Sequence, residues 1–126
     1  KVPLEEMGPL SLAADGAAEV STTCTVFAES VIISNIHAGE SRERIAAGVH
    51  KAVATRIAEL VGRVGLVEDV VLVGGGALNQ GLIKMLEDMT RVSLRVPENP
   101  QTVGALGAAI QASLKKSRRA RRAAAQ

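Results

Sequence analysis

Two short strand-like segments flanking one helical stretch, set beside longer runs of three- and four-residue apolar period, predict an α/β fold for this chain. The first segment, a strand over 69–73, holds Val70-Val71-Leu72-Val73, four apolar residues that run straight into Gly74, Gly75 and Gly76. The second, Arg91-Val92-Ser93-Leu94-Arg95-Val96, alternates in the manner of a half-buried strand. Between them Leu82, Ile83, Leu86 and Met89 fall on one helical face. Strand, helix and strand in that order imply a parallel pair. Two strands make a poor sheet, so a larger one is expected to be completed by residues that precede Lys1. The chain enters mid-pattern without a Met and reads as the C-terminal piece of a longer protein.

Taken in order, residues 1–23 are expected to be mostly irregular, because Pro3, Gly8, Pro9 and Gly16 interrupt any long pattern; residues 4–7 suffice for one helical turn. Residues 20–27 are rich in β-branched side chains, Thr22, Thr23, Thr25 and Val26 among them, and favour an extended backbone. Apolar residues at 27, 28, 31, 32, 33 and 36 form a helical stripe closed by Gly39. A longer helix is predicted over 41–63. Ser41 suits its N-cap, and Ile45, Val49, Ala52, Val53, Ile57, Leu60 and Val61 recur at helical steps. Arg42, Lys51, Arg56, Glu59 and Arg63 fall on its other faces, and Gly62 and Gly65 end it. A further helix covers 80–89, and Pro97, Asn99 and Pro100 make a loop. From Gln101 onward, Thr102-Val103-Gly104-Ala105-Leu106-Gly107-Ala108-Ala109-Ile110 reads as a helix of very small residues, able to lie close to a neighbouring helix or to a ligand. Four main helices and few strands result.

At 126 residues this is one domain or part of one, with an aliphatic core: one Phe, no Trp and no Tyr. A single cysteine, Cys24, excludes an internal disulfide and points to a reducing, cytoplasmic compartment. No apolar run approaches the roughly 20 residues of a membrane span, so no membrane partner is expected. The net charge of +2 is unevenly placed. Lys115, Lys116, Arg118, Arg119, Arg121 and Arg122 make residues 113–126 a basic tail, leaving a net of −4 elsewhere. No aromatics interleave these cations, so the tail reads as a solvated helix end rather than a nucleic-acid site.

The strand–glycine–helix junction is where chemistry is expected. Glycine lets the backbone approach a ligand, and the helix that follows presents unpaired N–H groups and the positive end of its dipole, which together suit a nucleotide or phosphate. A plain turn requiring positive φ is the alternative. His37 and His50 lie on separate helices, with no carboxylate or cysteine at ligand spacing, and read as surface or capping residues. Glu29 and Glu40 lack an acid–base partner, and Asp15 beside Gly16 suits a turn.

Longer motifs add a resemblance. Gly74-Gly75-Gly76-Ala77-Leu78-Asn79, the spacing to residues 92–97, and Pro100-Gln101-Thr102-Val103-Gly104-Ala105-Leu106-Gly107-Ala108-Ala109 resemble the end of the BadF/BadG/BcrA/BcrD ATPase family. Leu4-Glu5-Glu6-Met7-Gly8-Pro9-Leu10, the helix over 45–56, and above all Cys24-Thr25-Val26-Phe27-Ala28-Glu29-Ser30 agree with it, so the resemblance spans residues 4–112. It departs from the family at Val73 and Gly76, where a Thr before the glycine pair and an apolar residue after it are usual, and at Val31, where Glu is common.

The resemblance implies the C-terminal part of an actin-like (ribonuclease H-like) ATPase domain, with residues 1–112 a partial nucleotide-binding lobe and 113–126 the tail. It implies that Gly74, Gly75, Gly76 and Ala77 form the adenosine-binding element for ATP or ADP with Mg, with Gln101 reaching the same nucleotide. Lys51 and Arg56 are candidates to face the adenosine, though a solvated helix face suits them as well. The resemblance also makes Cys24 one ligand of a [4Fe–4S] cluster shared between two homologous subunits. One thiol per chain leaves that cluster unsupported in residues 1–126 alone. The activity implied is ATP-driven electron transfer to benzoyl-CoA reductase or 2-hydroxyacyl-CoA dehydratase subunits, with these residues catalytically silent alone. Two alternatives stand beside it: a sugar kinase-type phosphotransferase of the same superfamily, and a non-enzymatic nucleotide-binding or assembly module whose tail binds a polyanion.

Overall fold

The computed structural model describes residues 2–21, 24–67 and 69–124. Its helices are α1 (Met7–Leu12), α2 (Thr25–His37), α3 (Arg42–Val64), α4 (Gln80–Thr90) and α5 (Val103–Ala124), with 3-10 turns at Leu4–Glu6 and Gly75–Leu78. The Ser41 hydroxyl accepts the Arg44 N–H at 3.2 Å and starts α3 as predicted. Gly65, at φ 87°, ends it, whereas Gly62 lies inside the helix.

α1 and α4 pack against α3 and against each other. α1 lies where irregular chain is expected. Pro9 is its third residue, in the first turn, where a missing N–H leaves no intrahelical bond unmade. Gly8 and Ser11 are buried in this contact.

The buried face of α3 is Ala46, Ala47, Gly48, His50 and Ala54, not the stripe of larger residues expected. Small side chains let α1, α4 and the residue 18 segment come close; the Ala18 N–H donates to the Arg44 carbonyl at 2.8 Å. Val49, Ala52 and Val53 instead border a groove shared with α2, and Ile57 both borders it and packs against the core. Ala54, Leu82 and Leu86 form the core, and Ile57, Leu72, Met85, Met89 and Leu94 pack around it.

The two predicted strands do pair in parallel, but through one bridge, Val71 with Arg95. The Leu72 N–H donates to the Arg95 carbonyl and the Arg95 N–H to the Val70 carbonyl, both at 2.9 Å. No longer strand forms among the described residues. Left-handed geometry at Asp69 (φ 67°) and Arg91 (φ 59°) turns the backbone where extended chain is expected. Arg91 instead closes α4, its N–H donating to the Glu87 carbonyl at 2.8 Å.

The extended segment expected over 20–27 is also corrected: helix begins at Thr25, with Cys24 its extended N-cap residue. Thr22 and Thr23 lie outside the described residues. The small-residue helix α5 has no close neighbour at its glycines, since a Cβ added at Gly104 or Gly107 would meet nothing within 4 Å. Leu106, Ile110 and Leu114 are exposed along it. α5 continues past residue 113, and the side chains of Arg118, Arg119, Arg121 and Arg122 lie outside the described residues. No helix among the described residues is long and apolar enough to cross a membrane.

Gly48 sets how closely α3 meets the segment before α2. A Cβ there would run into the Ala18 carbonyl oxygen and lie 2.9 Å from Val20 Cγ2. Gly48→Ala is expected to destabilise by about 1–3 kcal/mol, read as a lower urea midpoint. Gly62→Ala, whose Cβ meets nothing within 4 Å, is expected to stabilise the helix by roughly 0.5–1 kcal/mol.

Candidate functional site

The first predicted strand segment ends at Gly74, whose φ of 92° and ψ of −179° lie in a region open essentially to glycine. Its N–H donates to the Pro100 carbonyl at 2.8 Å, which joins the turn to the loop that opens α5. Gly75–Leu78 then forms a single 3-10 turn. Ala77 is buried and anchors that turn, whereas Gly75 and Gly76 are exposed. A Cβ built on Gly75 would lie 3.7 Å from Gln101 Nε2. The predicted residues Gly74, Gly75, Gly76, Ala77 and Gln101 are therefore brought together. They make a side-chain-free ledge bordered by one exposed carboxamide.

The turn is held from below by Asn79. Its Oδ1 accepts the Leu82 N–H at 3.1 Å and caps α4. Its Nδ2 lies 2.9 Å from His50 Nε2. His50 is thus not the surface or capping residue expected. It is buried at 5% relative exposure, and burial lowers its pKa from the usual 6.5. Asn79 at an N-cap was readable, since Asn directly precedes the helical pattern at Gln80. The His50 contact was not, because it joins residues 29 apart in sequence.

Cys24 belongs to a different place. It is an exposed free thiol at the head of α2, beside a groove of about 860 Å³ between α2 and α3. Ala28, Glu29, Ile32, Val53 and Arg56 border the same groove, which includes no residue of the glycine turn. Among the described residues no group of three or more His, Cys, Asp or Glu could hold a metal ion. One thiol fits a [4Fe–4S] cluster as a single ligand out of four, and a helix N-terminus favours an anionic ligand.

The remaining candidates are placed simply. His37 is exposed at the end of α2. Glu40 pairs with Arg44 at 3.0 Å, and Asp15 lies 3.9 Å from the same guanidinium. Arg56 pairs with Glu59 at 3.8 Å and borders the groove, and exposed Lys51 borders a shallow cavity beside Ala18 and Thr55.

The strain at Gly74 is separable from the openness at Gly75. Gly74→Ala is expected to lose about 1–3 kcal/mol in denaturant unfolding through backbone strain alone, because its Cβ would meet nothing within 4 Å. Gly75→Ala is expected to leave the unfolding midpoint unchanged.

Residues 1–112 match the sequence profile of the BadF/BadG/BcrA/BcrD ATPase family. The chain is 47% identical over 109 residues to the activator of lactoyl-CoA dehydratase from Anaerotignum propionicum, which covers 86% of this chain and 42% of that protein. It is 41% identical over 112 residues to the 2-hydroxyisocaproyl-CoA dehydratase activator of Clostridioides difficile, covering 89% of this chain and 42% of the relative. The solved structure of the activator of 2-hydroxyisocaproyl-CoA dehydratase from Clostridium difficile, with bound ADPNP, superposes with a TM-score of 0.84 at 39% identity, over 94% of this chain and 45% of that one. The chain thus spans less than half the length of these relatives.

Proposed function

The chain belongs to the BadF/BadG/BcrA/BcrD ATPase family, and from that membership we propose that it forms part of an ATP-dependent activator of a 2-hydroxyacyl-CoA dehydratase, with the related reductase ATPase subunits as second choice. The observation that carries this reading is the ledge at Gly74–Gly76 with Gln101 beside it, in a chain similar to an activator solved with ADPNP. In this reading the chain is the C-terminal part of an actin-like ATPase lobe, partial over residues 1–112, and takes the adenosine half of ATP or ADP. The flat face of the base lies over Gly75 and Gly76, where no Cβ intervenes. Gln101 donates and accepts at a polar edge of the nucleoside. Mg and the phosphates are assigned to residues outside this chain, which is therefore silent as an ATPase by itself.

Cys24 is the chain's contribution to a [4Fe–4S] cluster shared with a homologous subunit. When bound, that cluster supplies one-electron transfer; Cys24 holds it at the exposed head of α2. The partner that accepts the electron is a dehydratase or reductase subunit, chosen by the apolar and charged surface around α2. Val26, Phe27, Ile33 and Ile36 are exposed there.

Calorimetric titration of the full-length protein with ADP tests the ledge. Gly75→Val is expected to weaken binding by about tenfold, the scale of a group that blocks close approach, with its unfolding midpoint retained. Gln101→Ala is expected to weaken it by about threefold to tenfold, the worth of one net hydrogen bond. Unchanged affinity in both variants rejects the assignment. In anaerobically purified protein, Cys24→Ser is expected to remove the visible absorbance of the cluster while leaving ADP affinity within about twofold, since the groove beside Cys24 includes no residue of the glycine turn.

A further inference from the structure

His50 sits where α1, α3 and α4 meet. A Cβ added at Gly81 would lie 3.0 Å from both His50 Nδ1 and the Gly8 carbonyl oxygen. One added at Gly8 would lie 2.9 Å from Asn79 Oδ1. Three backbones thus close around one imidazole and one carboxamide.

The hydrogen bonds fix which atoms carry protons. Asn79 must turn Oδ1 to the Leu82 N–H, which can only donate, so Nδ2 faces His50 Nε2. Nδ2 only donates, so Nε2 must offer its lone pair and the imidazole proton resides on Nδ1. Nδ1 is buried without a hydrogen-bond partner. The other neutral form would set Nε2–H against the Asn79 NH2 group. Rotating the carboxamide to relieve that clash would set the NH2 group against the Leu82 N–H instead. Only the Nδ1–H form satisfies both contacts.

We propose that His50 is a positioning residue for the glycine turn: its neutral imidazole locks the Asn79 side chain that caps α4, and protonation at Nε2 releases that cap and loosens Gly75–Leu78. This rests on the assignment of the turn to the nucleotide. Burial, which holds His50 neutral below its usual 6.5, agrees with the geometry. Among the described residues no charge faces the ring to oppose this. α1 carries no ionisable side chain. Glu5 and Glu6 before it are exposed, as is Lys51 on α3. On α4, Lys84 pairs with Asp88 at the surface, and Glu87 accepts the Leu94 N–H at 2.8 Å.

The sign of the pH effect follows. The unfolded chain takes up the His50 proton at a higher pH than the folded one, so stability rises with pH. It is full above the ordinary value of 6.5 and falls as pH drops through that value toward the lower folded-state pKa.

The test is imidazole nitrogen NMR, Leu82 amide exchange corrected for its intrinsic pH dependence, and ADP titration of the full-length protein between about pH 8 and pH 5. Wild type, His50→Gln and His50→Ala are compared. Gln offers an acceptor to Asn79 and does not titrate. In wild type, Nε2 is expected to be unprotonated at neutral pH. Leu82 exchange is expected to quicken about fivefold on acidification, the worth of one N-cap, and ADP affinity to fall with it. His50→Gln is expected to keep the neutral-pH affinity and flatten both profiles; comparison with it cancels titration of the nucleotide's own phosphate. His50→Ala is expected to show fast Leu82 exchange at every pH. A protonated Nε2 at neutral pH, or Leu82 exchange indifferent to acidification, overturns the role of His50. A Leu82 response that His50→Gln abolishes, with ADP affinity unmoved, upholds the lock and overturns the nucleotide assignment of the turn.

Discussion

One carboxamide holds the glycine turn of this molecule in place. Asn79 spends its oxygen on the first turn of α4 and its amide nitrogen on His50 of α3. Those two bonds fix where α4 begins, and the 3-10 turn before it can only follow. The opposite end of the turn is pinned by the Gly74 N–H at the Pro100 carbonyl. Between these anchors the backbone of Gly75 and Gly76 is exposed and tethered at both ends. A ledge of this kind pays its ordering entropy during folding rather than on binding.

Close approach is the condition for that arrangement, and it explains what the sequence could and could not convey. The limits of α3 and α4 were readable because Ser41, Gly65 and the apolar period of 82, 83, 86 and 89 are local signals. Which face of α3 is buried was not. A periodicity argument weights large residues, yet the packed face is Ala46, Ala47, Gly48, His50 and Ala54, selected for thinness. α1 was hidden for the same reason. Its Gly8 and Pro9 look like breakers, but Gly8 is needed for contact with the Asn79 and Gly81 region and Pro9 falls in the first turn. The two strand segments were recognisable by composition, and their parallel relation by the helix between them. Their extent was not, because an isolated pair of strands is marginal without further strands beside it, and here one bridge forms.

The candidate site divides along similar lines. Gly74, Gly75, Gly76 and Gln101 were visible as a motif, and the structure sets Gly75 and Gln101 side by side. Asn79 was visible only as the end of that motif, although Asn directly before a helical pattern is the local signal for a cap. His50 was not visible as part of the site, since nothing in its surroundings on α3 distinguishes an exposed histidine from a buried one. Only the fold brings it to a partner 29 residues away.

α3 connects what the motifs leave separate. Its face with Ala47, His50 and Ala54 meets α1 and α4 and thereby supports the glycine turn. A neighbouring face with Val49, Ala52 and Val53 borders the groove headed by Cys24. A helix of 23 residues extends about 35 Å at 1.5 Å per residue, and its interior hydrogen bonds make it the stiffest path between the two places. It contains no proline, and its glycines are Gly48, packed against the Ala18 carbonyl, and Gly62 near its end. The same helix thus backs the support of the glycine turn on one face and forms one wall beside the thiol on another.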